Sequence, residues 1–335
     1  MARVRALSPR VRRLVRICAG IVVLVGTIAT VGARPFIHGV TSISWLSITA
    51  GVVLTAVATA SAVWRWRIVA VRLGLELSWR GAIAAYYRSQ FVNTVLPGGV
   101  VGDVHRAFRH GKRSGGVALA ARAVAAERIA GQLVQFALVA LVLSLLGLSS
   151  PLRALAWIVG GATGLVAVAV GIIAASGRGR RLLRREVELL SPVFGNLGRS
   201  AQVIASSILV VASHATLFVV ACVVTGVHAP LSELVALALI ALTAGALPIN
   251  LGGWGPREGA AGFAFAAVGL GVSAGVAAST TFGVLATIAV LPGAGVLVVN
   301  RIDAARARRR SMDSQEEPTA GRSTEIRPLT EGVNA

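Results

Sequence analysis

Asn93-Thr94-Val95-Leu96-Pro97-Gly98-Gly99-Val100-Val101-Gly102-Asp103-Val104-His105-Arg106 interrupts an apolar stretch running roughly over 81–110. A second interruption, Leu247-Pro248-Ile249-Asn250-Leu251-Gly252-Gly253-Trp254-Gly255-Pro256-Arg257-Glu258-Gly259, lies within 232–270. In each, a proline stops the entering helix and glycines let the backbone turn sharply without side-chain bulk. The apolar arms on either side run only ~10–16 residues, a length that suits re-entrant or interfacial segments rather than full crossings. Irregular backbone at membrane depth must be satisfied by protein or line a wet cavity.

Around these two segments the chain reads as membrane protein throughout. Of its 335 residues 55% are hydrophobic and 14% charged, with mean hydropathy +0.77, against nearly twice that charged fraction in soluble domains. Uninterrupted apolar blocks at 14–33, 43–64, 128–147, 153–175, 201–226 and 272–299 are long enough to span. The Arg-rich start resembles the n-region of a signal peptide. The long run from Leu14 to Ala33, with no small-x-small cleavage site before a soluble domain, is instead read as a retained first helix. Net charge is +20, but the arginines form short clusters between apolar blocks with no aromatic-rich basic face. They read as topology signals and contacts for anionic lipid headgroups; nucleic acid is excluded as a partner. Lys112 is the only lysine, which with the Ala, Gly and Val richness suggests a high-GC bacterium. Cys18 and Cys222 lie inside apolar blocks and form no CxxC or metal spacing.

The charge clusters fit one topology. Arg3 to Arg16 place the N-terminus in the cytoplasm, and Arg34 alone precedes span two. Arg65, Arg67, Arg72, Arg80 and Arg88 follow it inside. The next cluster, Arg106, Arg109, Lys112 and Arg113, is cytoplasmic only if 81–110 dips in and returns. Arg178 to Arg185 and Arg301 to Arg310 then fall inside as well, and the second broken segment enters and leaves from outside. The expected fold is therefore all-α: about six spans plus two Pro/Gly-broken re-entrant hairpins, with both termini cytoplasmic in a bacterial plasma membrane. The halves 43–147 and 201–299 are expected to be inverted copies, an arrangement found in transporters. Eight kinked spanning helices are the alternative. Residues 1–300 form the membrane domain, and the polar stretch 301–335 is expected to be a disordered cytoplasmic tail.

Candidate functional residues gather at the breaks. Pro97, Gly98, Gly99 and Gly102 shape the first; Asp103 is placed as helix cap or first-turn residue, with Arg106 one turn on. A helix N-terminus plus an arginine suits a phosphate-sized anion; alternatively, Asp103 only caps and Arg106 only marks the interface. Pro248, Gly252, Gly253 and Gly255 shape the second, where Pro256 suits the first helical turn. Arg257 and Glu258 follow it, ionisable residues at membrane depth that are functional by default or else structural partners of one another. Glu127 and Arg128 begin span three, with Gln132 and Gln135 deeper. His214 in span five is either hydrogen-bonded within the bundle or a proton relay. No nucleophile elbow, P-loop or zinc motif occurs, so neither enzymatic activity, a cofactor nor a metal is expected.

The ordered set Asn93…Leu96-Pro97-Gly98-Gly99…Gly102-Asp103…Arg106, Glu127-Arg128…Gly131 and Leu247-Pro248…Gly252-Gly253…Gly255…Arg257-Glu258 resembles the lysylphosphatidylglycerol synthase transmembrane-region family. The resemblance covers roughly residues 10–300. In the best-understood members this region is a flippase module for aminoacylated phospholipid, fused to a soluble transferase domain. That domain is not expected here, so the resemblance implies the flippase-like part alone. Some members without it are linked to lipid-linked sugar pathways. The implied partners are membrane lipids with an anionic phospholipid or polyprenyl-linked headgroup, or a separate lipid-modifying enzyme. The resemblance adds weight to Asp103, Arg106, Glu127, Arg128, Arg257 and Glu258 as substrate-binding residues, with Asn93 beside them. An intramembrane enzyme acting on lipid-linked sugars and a scaffold for a separate synthase are the rival expectations.

Overall fold

A computed structural model describes residues 25–26, 28–29, 31–96, 99–114, 116–145, 176–246 and 254–316. Pro97, Gly98, Pro248, Gly252, Gly253, most of the first expected span and all of the span expected at 153–175 lie outside them. The described chain is all-helical: α1 (Arg34–Thr41), α2 (Trp45–Arg72), α3 (Trp79–Val95), α4 (Val101–Arg113), α5 (Val117–Leu145), α6 (Gly177–Phe194), α7 (Leu197–Val224), α8 (Leu231–Gly245), α9 (Pro256–Ala267), α10 (Val272–Ala289) and α11 (Pro292–Glu316). Residues 1–294 form one compact unit and 295–335 another.

Among the described residues, Trp45–Arg72, Val117–Leu145, Leu197–Val224 and Val272–Asp303 are long and apolar enough to cross a membrane. The protein is thus a polytopic all-α membrane protein. Polar residues set several helix starts. Ser44 Oγ accepts from Ser47 N at 3.2 Å and Ser47 Oγ in turn accepts from Ser44 N, while Asn196 Oδ1 accepts from Arg199 N ahead of α7.

Each broken segment is a pair of short helices, α3–α4 and α8–α9, and the members of each pair pack against one another. At 1.5 Å per residue the longest, α3, reaches about 26 Å, short of the roughly 30 Å hydrocarbon core. The first pair closes tightly. A side chain at Gly102 would collide with the Ser89 backbone, so α4 lies directly on α3. In the second, Gly255 at φ +99° supplies the left-handed turn into Pro256, the first residue of α9 as expected.

Two apolar cores follow the two pairs. One joins Val63 and Trp66 of α2, Ala82 and Tyr86 of α3, and Ala120 and Ala123 of α5. The other joins Leu217 and Phe218 of α7, Leu237 of α8, Phe265 of α9, and Phe282 and Leu285 of α10. Each core therefore belongs to a long helix, a short pair and a further long helix in that order. The leading helices run antiparallel: an added Cβ at Gly51 of α2 meets Leu217 of α7, whereas Arg65 of α2 reaches back to Ser207 of α7. Antiparallel leading helices are what two inverted units require.

Several sequence boundaries move. α2 continues past 64 to Arg72, and α5 begins at Val117 rather than 128. Residues 117–126 are mostly Ala, Val and Leu, a composition that continues a helix readily, and Arg65 and Glu127, read as marks of helix ends, pair with one another inside the bundle. Asp103 stands in the first turn of α4, but it does not cap; the N-cap Val100 makes no side-chain bond. The basic loop after residue 176 is instead helix α6, and α1 is a short helix whose Gly39 packs against Ala277 and Thr280 of α10. Residues 301–316, expected in a disordered tail, are helical, consistent with their Ala and Arg content; 317–335 lie outside the described residues.

Candidate functional site

The helix shift places Glu127 about three turns into α5 and wholly buried. Its carboxylate is fully engaged. Oε1 accepts from Arg65 Nη2 at 2.6 Å, Arg65 Nε at 3.2 Å and Tyr86 OH at 3.1 Å; Oε2 accepts from Arg106 Nη2 at 3.1 Å. Arg106 is stacked between the rings of Trp66 and Tyr86, 4.3 and 4.4 Å from their centroids. The same Nη2 donates to Asp103 Oδ1 at 3.0 Å.

Asp103 ties this buried cluster to open space. Oδ1 also accepts from Ser89 Oγ at 2.9 Å, while Oδ2 takes Asn93 Nδ2 at 3.1 Å and Arg128 Nη2 at 2.6 Å. Asn93 Oδ1 in turn accepts from Gly102 N at 2.7 Å, clasping the start of α4 to the end of α3. Arg128 is the exposed end of the chain of charges, its side chain 45% accessible where those of Arg106 and Glu127 are fully enclosed. Three guanidiniums, of Arg65, Arg106 and Arg128, face two carboxylates. The network therefore holds one surplus positive charge, and its accessible member is Arg128.

The second pair carries a compact counterpart. Arg257 Nη2 and Nε donate to Glu258 Oε1 at 2.6 and 3.0 Å, and Nε also reaches Ser279 Oγ at 3.0 Å. Ser279 Oγ lies 3.0 Å from the same Oε1, and Glu258 Oε2 accepts from Gly255 N at 2.6 Å. Trp254 and Phe282 flank the guanidinium at 5.3 and 5.1 Å. An added Cβ at Gly283 would strike Arg257 and Trp254, so this glycine makes room for the arginine on α10.

The two systems open into one cavity of about 890 Å³. Asn93, Gly99, Asp103, Arg128 and Arg257 line it, together with Gln90, Gln132, Gln135 and His214. Arg106, Glu127 and Glu258 do not line it; they lie behind and hold the residues that do. Gly102 and Gly255 shape the turns rather than the wall. The rest of the lining is largely apolar: Val104, Phe108 and Ile129 are exposed, whereas Val124, Val211 and Phe282 are buried. Charged, amide and apolar side chains together make the cavity amphipathic.

Sequence reasoning did not find Arg65, Trp66, Tyr86, Ser89, Ser207 or Ser279. Arg65 follows an apolar run and has the signature of an interfacial topology marker. Only its distance to Glu127, 62 residues away, reveals it as a buried partner. Serines and aromatics inside apolar helices carry no local mark at all.

Fold and site define a multi-pass membrane protein with an arginine-bearing amphipathic cavity between two hairpin-centred units. The chain belongs to the lysylphosphatidylglycerol synthase TM region family, whose model matches residues 13–293. None of the curated proteins matches it. The family places the protein among those concerned with membrane lipid.

Proposed function

We propose that the protein is a lipid translocase that moves a phosphate-bearing lipid between leaflets of the bacterial plasma membrane, with both termini in the cytoplasm. The observation that carries this reading is the convergence of Arg128 and Arg257, one held by each hairpin system, on a single cavity whose lining also includes exposed apolar residues. An amphiphile fits such a space. Its phosphate meets the arginines in the interior, where burial strengthens ionic contacts, and its chains leave between Val104, Phe108 and Ile129. Asp103 and Glu258 hold the two arginines in place, so binding costs little side-chain ordering. Translocation rather than chemistry is favoured by the acidic residues themselves. Every oxygen of Asp103, Glu127 and Glu258 accepts a hydrogen bond from a neighbouring side chain or backbone N–H, so these carboxylates serve to hold the arginines.

Reconstitution into liposomes with fluorescent anionic phospholipid tests the reading. Accessibility of the label to a membrane-impermeant quencher should rise with wild-type protein. Arg128→Gln and Arg257→Gln should each reduce the initial rate at least tenfold. Unchanged rates in both variants, or no movement across a panel of anionic lipids, would refute the translocase.

A further inference from the structure

Buried arginines in this protein have acidic partners, with one exception among the described residues. Arg65, Arg106 and Arg257 each meet a carboxylate. Arg88, on α3 and 6% exposed, makes no hydrogen bond or ion pair among the described residues. A buried charge is expensive unless it is paired, so this guanidinium calls for a counter-ion that the chain itself does not supply. It is also separate from the site described above, because Arg88 does not line the central cavity.

The surroundings of Arg88 are basic. Ser89, the next residue, lies against Gly102 of α4, which sets the register of the hairpin. Gly102, His105, Arg109 and Arg113 recur at three- and four-residue spacing, so they share the stripe that α4 lays on α3. Helical side chains lean toward their own N-terminus, which carries Arg88 away from the turn and toward the level of His105 and Arg109. Accordingly, the charges of Arg109 and Arg113 act on Arg88, and those of Arg88 and Arg109 act on His105, with no carboxylate acting on either. Asp103, the one acid of α4, is committed to Arg106 and Arg128. His105 and Arg113 are exposed, so a ligand has access to the cluster, and none of these residues lines the central cavity. Guanidinium forks converging from two helices need more acceptor oxygens than the two of a carboxylate, and a phosphate provides them.

We propose that the basic face between α3 and α4, at the open end of the first hairpin, is an anion site that takes a phosphate group on Arg88, Arg109 and Arg113, with His105 at its edge. A lipid headgroup and a soluble phosphate present the same oxygens to it. Bound there, the phosphate bridges the two helices and offsets the repulsion among the arginines. It thereby braces from outside the hairpin that Asn93 and Asp103 clasp near its turn. Nothing in this site requires the central cavity to hold lipid.

Full-length protein in a maltoside detergent, which carries no phosphate, provides the test at fixed ionic strength. An Arg128→Gln background removes the accessible arginine of the central cavity, so that binding there does not obscure the result. Radiolabelled inorganic phosphate and radiolabelled phosphatidic acid are the probes; retention at equilibrium and the thermal midpoint are the readouts. At least one probe should be retained and should raise the midpoint. Retention of phosphatidic acid alone identifies a lipid headgroup as the occupant, and retention of inorganic phosphate alone a soluble phosphate. Retention of both means that the site reads the phosphate group by itself. Adding Arg88→Gln or Arg113→Gln should lower retention by about fivefold or more. Arg113 is exposed, so its substitution tests the site without endangering the fold. In the absence of phosphate, Arg88→Gln should melt no lower than its parent, because it relieves repulsion. No retention of either probe, retention unchanged by both substitutions, or a midpoint lowered by Arg88→Gln without phosphate overturns the proposal.

Discussion

Adjacent residues Glu127 and Arg128 separate cleanly in role. Glu127 is enclosed and shared by Arg65, Arg106 and Tyr86, whereas Arg128 lines the cavity and is paired with Asp103. Removing one member of a buried ionic cluster leaves uncompensated charge and costs about 3–5 kcal/mol. Glu127→Gln is therefore expected to lower the thermal midpoint in detergent markedly, and Glu127→Asp to recover part of the loss. Arg128→Gln, at a site where solvent or lipid reaches the side chain, should leave the midpoint within a few degrees yet abolish lipid movement. A tryptophan-fluorescence melt of the three variants separates the roles; equal midpoints for Glu127→Gln and wild type would mean the cluster does not hold the helices. The sequence marked both residues as candidate binders at the start of a span but could not separate their roles, because local pattern gives no distance to Arg65 or Arg106.

The hairpins are the elements that supply Asp103 and Arg257 to the cavity wall. Gly102 lies on the Ser89 backbone and donates its N–H to Asn93, while the following Asp103 binds Ser89 and Asn93 side chains. Any side chain at 102 separates α3 from α4 and pulls Asp103 off Arg128. Gly102→Val should cost roughly 1–3 kcal/mol from overpacking and eliminate lipid movement, whereas Gly177→Ala, with open space around it, should change neither. The chain entry and exit of this hairpin can also be placed. In a background with Cys18 and Cys222 replaced by alanine, single cysteines at the exposed positions Glu76 and Ser114 report the sides on which the pair begins and ends. A re-entrant hairpin puts both on the same face, so a membrane-impermeant maleimide should label both in inside-out vesicles and neither in right-side-out ones. Labelling of the two from opposite faces would establish the eight-span alternative.

At the scale of the whole molecule, two cores, each built round its own hairpin, share one cavity. Obstructing that space from either unit should stop transport without disturbing either core. Ala125 lines the cavity and is exposed on α5, so Ala125→Trp should reduce lipid movement at least tenfold while the melting profile stays that of wild type. A fully active Ala125→Trp protein would mean lipid takes another route. The sequence by itself determined the membrane class, the helical fold, the two breaks and the identity of most charged site residues, because length, hydropathy, Pro/Gly chemistry and the expense of charge in lipid are local properties of the chain. It could not determine which charges face the cavity. Arg106 and Arg128 are equally basic on paper. Only the packing of α2, α3, α4 and α5 encloses the first between two rings and two carboxylates and leaves the second open to the cavity, since burial and partnership depend on helices brought together from distant parts of the sequence.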